Sequence, residues 1–156
     1  TIGNLVAFLP CSWKFKTDPF EDGLIEQWYR LDQDSGWDSV TTTLYWENQG
    51  YQNKAGYGYT GYAWYPTKFE VKNDVGNCPV SLTFGGVCGQ EIWVWINQLL
   101  VFHGENESSS KPFDISLPEN IQAGTNQITV RIHGHGFYRG AQGGIYRRAF
   151  LWTPNN

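Results

Sequence analysis

The stretch His133–Gly144 reads HGHGFYRGAQGG, crowding two histidines, Phe137, Tyr138, Arg139 and Gln142 among five glycines. A second stretch, Glu47–Gly61, reads ENQGYQNKAGYGYTG and carries Tyr51, Tyr57 and Tyr59 among glycines and amides. Flat rings beside planar hydrogen-bonding side chains suit a sugar. A ring covers the C–H face of a pyranose, while amide, imidazole and guanidinium groups meet its hydroxyls. The candidate carbohydrate contacts are therefore Tyr51, Tyr57, Tyr59, His103, His135, Phe137, Tyr138, Arg139 and Gln142. The competing reading of the same rings is a small second core that closes the open end of the fold.

Other chemistries fit less well. His133 and His135, two apart, would share a strand face and could ligate one metal. A cupin-like site also needs a Glu shortly after the pair, and the loop offers Tyr138 and Arg139 instead. A phosphate cradle needs backbone N–H groups at a helix N-terminus, usually with a Lys, and no helical pattern follows Gly144. Glycoside hydrolysis needs two carboxylates facing one sugar. Glu105 and Glu107 sit in the polar run ENESSS with no apolar neighbours to raise one pKa, and no nucleophile elbow is present. The chain by itself is expected to be no enzyme and to hold no catalytic residue.

These loops need a scaffold, and the composition describes one. A chain of 156 residues with 40% hydrophobic content fits one domain, residues 1–156, with a core that needs no covalent staples. Aromatics make up 17% of the chain, 18 residues are Gly, and no long window repeats apolar residues at helical spacing, so the pattern is all-β. The expected strands are Trp13–Thr17, Val40–Trp46, Ala63–Val71, Val80–Phe84, Ile92–Asn97, Leu99–Phe102, Phe113–Leu117, Gln127–His133 and Gly144–Trp152, a set that suits a sandwich. In Gln127–His133 the apolar Ile128, Val130 and Ile132 alternate with polar residues, which predicts one core face and one wet face. In Ile92–Asn97 both faces are apolar, as in a strand covered on its second side, and Asn97-Gln98 then reads as a turn.

Charge and cysteine content narrow the partners. A net charge of -4 with only 11 Lys and Arg, none in a basic run, argues against nucleic acid. No stretch approaches the ~18 apolar residues of a membrane span, and TIGNLVAFLP lacks the charged flank of a signal peptide. The absence of any Met, even at position 1, points to a processed protein or, preferably, a module of a longer one. Three cysteines, Cys11, Cys78 and Cys88, leave at least one unpaired and suggest no disulfide scaffold. Asn106-Glu107-Ser108 is a glycosylation sequon that matters only in a eukaryotic secretory setting.

Several motifs recur in order along the chain. They are Trp13-Lys14-Phe15 with Asp18-Pro19, Trp37-Asp38-Ser39-Val40, Tyr59-Thr60-Gly61-Tyr62-Ala63-Trp64-Tyr65, Ile92-Trp93-Val94-Trp95-Ile96-Asn97, Pro112-Phe113-Asp114-Ile115, Ala123-Gly124-Thr125-Asn126 and Gly143-Gly144-Ile145-Tyr146-Arg147. In this order the chain resembles the N-terminal sugar-binding jelly-roll domain of glycosidases related to β-galactosidase and β-glucuronidase. The resemblance implies a galactose-binding-domain-like jelly-roll β-sandwich. It also implies a non-catalytic carbohydrate-binding or accessory module of a larger glycoside hydrolase, secreted or periplasmic. Its partners would be an oligo- or polysaccharide and the parent's catalytic domain. The alternative is a structural domain that packs on that catalytic domain and binds no sugar.

The resemblance further implies that the two glycine-rich loops share one end of the sandwich. It also suggests a structural calcium, for which Asp18, Asp22, Asp32, Asp34 and Asp38 are the candidate ligands. The chain departs from the family pattern at Gln98, where a Gly is common, and at Glu105-Asn106. It departs again at Arg148, where the family commonly has an Asp that in some members reaches the catalytic domain's substrate.

Overall fold

The computed structural model describes residues 3–30, 36–52, 58–76, 78–106, 111–117, 121–134 and 143–154. Among these described residues ten strands form: β1 (Gly3–Phe8), β2 (Ser12–Asp18), β3 (Asp38–Thr41), β4 (Gly61–Val71), β5 (Val80–Cys88), β6 (Glu91–Ile96), β7 (Leu99–Glu105), β8 (Phe113–Leu117), β9 (Gly124–Gly134) and β10 (Gly144–Pro154). They pair antiparallel into a four-stranded sheet, β1-β10-β5-β8, and a six-stranded sheet, β3-β2-β4-β9-β6-β7. A four-residue helix, α1 (Asp22–Ile25), and a 3-10 turn at Trp28–Arg30 lie between β2 and β3.

Alternating side chains fill the space between the sheets. Leu82 and Phe84 of β5 and Ala149 and Leu151 of β10 meet Ala63 and Tyr65 of β4, Val94 and Ile96 of β6, and Ile128, Val130 and Ile132 of β9. Each fully buried large apolar side chain contributes about 1.5–3 kcal/mol of transfer free energy, which makes this layer the main source of stability. Cys11, Cys78 and Cys88 are all free thiols, so no disulfide assists it.

Three expectations change. Val40–Trp46 is not one strand: β3 stops at Thr41, and a 3-10 turn occupies Trp46–Gln49. The Gln49 side chain stops it, its Oε1 accepting the Thr41 N–H at 2.8 Å while its Nε2 donates to the Thr41 and Leu44 carbonyls, each at 3.0 Å. A side chain thus satisfies backbone groups that a neighbouring strand would otherwise take. A strand absent from the sequence reading, β1, pairs with β10 at the sheet edge.

The third change is larger. The outward face of β9 is not wet, because Thr129 and Arg131 are each only 1% exposed. A second apolar layer covers them, built from Trp64, Trp93 and Trp95 with Trp28, Tyr29, Trp37 and Tyr62. The Arg131 guanidinium lies 3.9 Å from the Tyr62 ring centre and 4.1 Å from that of Trp93, sandwiched between two π faces. Burial pulls its pKa down, while Tyr62, Asp18 and Glu21 act in the opposite direction. Asp18 anchors the layer: Asp22 N–H donates to Oδ1 at 2.8 Å, and Gly23 N–H and the Trp64 indole N–H each donate to Oδ2 at 2.9 Å.

Candidate functional site

The flanks of the two glycine-rich loops do meet at one end of the sandwich. Trp46 N–H donates to the Gly143 carbonyl at 2.8 Å, and Gly143 N–H donates back to Glu47 Oε1 at 3.2 Å. The approach is close because Gly143 lacks a side chain: a Cβ there would sit 2.1 Å from the Trp46 indole. Burial pushes the Glu47 carboxyl pKa up against the opposing Gly143 bond, and its Oε2 is buried without a partner among the described residues.

The described loop tyrosines at this end turn inward. Tyr51 and Tyr59, expected as exposed sugar contacts, both pack against the main core. Tyr51 lies 4.4 Å from the Phe15 ring and its hydroxyl donates to Asp38 Oδ2 at 2.6 Å; burial, reinforced by that bond, raises its pKa. Tyr59 sits edge-on to Trp46 at 5.7 Å and donates to the Tyr62 carbonyl at 2.7 Å, with its pKa pushed up to about 12, chiefly by burial. Both hydroxyls are committed to the protein, so these two rings close the core. Tyr57, His135, Phe137, Tyr138, Arg139 and Gln142 lie outside the described residues.

His103 stands elsewhere, on β7, with its ring stacked on Trp93 at 4.6 Å and its Nε2 2.5 Å from Glu91 Oε2. It ends a ladder of flat groups that runs from His133, stacked on Tyr62 at 4.3 Å, through Arg131 to Trp93. Nor does the early acidic cluster form an ion cage among the described residues. Both Asp18 oxygens already accept N–H donors, Asp38 accepts from Tyr51, and no three His, Cys, Asp or Glu side chains converge. Asp32 and Asp34 lie outside the described residues.

The open surface chemistry is on the opposite sheet. Because β10 alternates, Arg148, Phe150 and Trp152 project away from the core while Ala149 and Leu151 enter it. Register then sets Phe8, Phe150, Thr83 and Asp114 side by side across β1, β10, β5 and β8. The Trp152 indole N–H donates to Thr83 Oγ1 at 2.8 Å, and Thr83 in turn donates to Asp114 Oδ1. On its other side the indole rests against Gly3, where a Cβ would come within 2.5 Å of it. Held from both neighbouring strands, the indole lies across the sheet.

The result is a pocket of ≈ 310 Å³ lined by Gly3, Asn4, Leu5, Thr83, Asp114, Phe150 and Trp152. Asp114 Oδ2 has no donor among the described residues. Arg148, the departure noted in the sequence, is held on the same sheet: its guanidinium is 4.5 Å from the Phe8 ring and its Nε donates to the Leu9 carbonyl at 3.0 Å. The sequence reading named none of these pocket residues as a site. The signal was the alternation in Phe150-Leu151-Trp152, which puts two large rings on the face away from the core.

Fold and surface together define a β-sandwich module whose exposed polar and aromatic groups meet on a sheet face. The chain belongs to the β-galactosidase second all-β domain family, whose model matches residues 32–137. The β-galactosidase of Priestia megaterium is 26% identical over 172 residues, covering 91% of this chain and 16% of that protein. That of Clostridium acetobutylicum is 25% identical, covering 90% and 18%. The Ruminococcus gnavus β-glucuronidase structure superposes with a TM-score of 0.77 at 19% identity, over 94% of this chain and 28% of its own. A β-glucuronidase from an uncultured Clostridium sp. gives 0.74 at 19% identity, over 95% and 29%. The chain therefore spans under a fifth of these curated relatives and under a third of these structural neighbours.

Proposed function

We propose that the chain is a non-catalytic accessory module of a glycoside hydrolase and that it recognises carbohydrate on the outer face of its four-stranded sheet. The observation that carries this reading is the Trp152–Thr83–Asp114 chain of hydrogen bonds, which pre-sets an aromatic platform beside a carboxylate. A pyranose stacked on the indole brings its equatorial hydroxyls to the level of Asp114 and Asn4. Both the platform and the acceptor are held before the ligand arrives, so little ordering cost remains. A shallow, open site of this kind gives a Kd on the order of 0.1–1 mM, about 4–5.5 kcal/mol. Family membership and the low coverage of the relatives support the accessory role.

A second reading has its own observation. Leu5 and Phe8 on the same sheet are 56% and 51% exposed, an apolar border that suits packing against a catalytic domain. A glycan array followed by affinity electrophoresis separates the two. Trp152→Ala should weaken binding at least tenfold, about 1.4 kcal/mol, with the near-UV circular dichroism of the folded domain retained. If the unaltered chain retains no glycan and Leu5→Asp abolishes association with a separately produced catalytic domain, the packing reading replaces recognition.

A further inference from the structure

We infer that the ligand is a chain of at least two sugar units that turns round the edge strand β8, an inference that rests on the recognition reading above. β8 is the last strand of the four-stranded sheet, and β7 is the last strand of the other. Between these two edges lies a second pocket, of ≈ 460 Å³, walled by Phe102 and Phe113 and rimmed by Glu105, Asn106 and Lys111. Asp114 lines this pocket and the one on the sheet face alike. The two concavities therefore meet at one carboxylate.

Each side of Asp114 offers the same pairing of chemistry. On the face, Trp152 and Phe150 give flat apolar surface with Asn4 beside them, and the Thr83 hydroxyl is held between Trp152 and Asp114. In the seam, the Phe102 and Phe113 rings, half-buried against the main core, meet edge to face at 5.0 Å, with an ammonium and an amide beside their remaining surface. Asn106 is positioned by its own bonds, Nδ2 to the Val87 carbonyl at 2.7 Å and backbone N–H to the Gln90 carbonyl at 3.1 Å. Each pocket alone lies toward the small end of ligand sites of ~300–1,000 Å³, a fit for one sugar unit rather than a chain. A bidentate acceptor between two such units can take a hydroxyl from each, one per oxygen or both on Oδ2. Occupying both pockets at once makes the second contact intramolecular, which raises affinity beyond that of either unit alone.

The test is isothermal titration of the chain with galactose, β-1,4-galactobiose and β-1,4-galactotetraose. The expected result is a tetraose Kd at least tenfold below that of galactose, with galactobiose between them. Lys111→Ala, at an exposed position, should lower the tetraose-to-galactose affinity ratio at least fivefold, and Asp114→Asn should lower the affinity for all three sugars. Equal Kd values for galactose and tetraose would overturn the two-unit site while leaving recognition at Trp152 intact. A tetraose advantage that Lys111→Ala leaves untouched would place the second unit outside the seam and likewise overturn it. Binding of none of the three would overturn this inference, while the recognition reading itself is decided by the glycan array.

Discussion

Replacing Asp18 by Ala should be among the most damaging single changes in this chain. The carboxylate is 1% exposed and accepts three N–H donors, from Asp22, Gly23 and the Trp64 indole. Trp64 is fully buried, so its N–H cannot turn to water once the acceptor is gone. A hydrogen bond to a charged group contributes roughly 1.5–3 kcal/mol, and an orphaned buried donor costs about 1–3 kcal/mol. Relief from burying one charge offsets part of the loss, which leaves a net destabilisation of about 3–5 kcal/mol. At roughly 2–4 °C per kcal/mol for a chain of this length, the Tm should fall by roughly 6–20 °C. Asp18→Asn keeps one acceptor oxygen but sets an NH₂ against an N–H, so it should fall between Ala and wild type. Urea unfolding followed by tryptophan fluorescence reads the change directly, because Trp64 packs on Trp28 and Trp95. A loss below 1 kcal/mol for Asp18→Ala, with an unaltered emission spectrum, would refute the claim that this carboxylate holds α1 and the outer tryptophan layer to the sheet.

Two further substitutions probe local energetics. Burial raises the Glu47 carboxyl above its ordinary value near 4.5, so its stabilising contribution is present below that value and is lost as pH rises through the folded pKa. Glu47→Gln should therefore gain stability relative to wild type as pH rises from 4 to 8, measured by urea midpoints, and a pH-independent difference would contradict the assignment. Gln98 is exposed and adopts φ 72° in the hairpin after Asn97, itself at φ 49°. Since the left-handed region costs a non-glycine residue about 1–2 kcal/mol and Gly pays part of that back in chain entropy, Gln98→Gly should stabilise by ~0.5 kcal/mol. A lowered Tm would show that the Gln side chain makes up the difference.

Much of the architecture was legible because β-strands alternate. Ile128, Val130 and Ile132 had only to be read at every second position to be placed in the core, and all three are fully buried. The doubly apolar Ile92–Asn97 likewise announced a covered outer face, and Trp93 and Trp95 supply it. The break after Thr41 was not legible, because it depends on a Gln side chain eight residues away satisfying backbone groups, and propensity carries no such information. Arg131 misled for a related reason. A cation on an alternating strand reads as solvent-facing, whereas here two aromatic faces from neighbouring strands replace its water.

The candidate site divides the same way. Residue types alone marked aromatic and polar loop groups as material for sugar contact, and they marked the chain as all-β. Whether a tyrosine faces a ligand or the core is a matter of which hydroxyl finds which acceptor, and Tyr51 and Tyr59 found Asp38 and a backbone carbonyl. The sheet-face pocket shows the converse. Gly3, Thr83, Asp114 and Trp152 are far apart in the chain and carry no shared motif, and only the register of β1, β10, β5 and β8 makes them neighbours. Local sequence determines periodicity, because each residue's direction follows from its own backbone. Adjacency across strands depends on long-range pairing, and so the chemistry of this surface was decided by the tertiary structure.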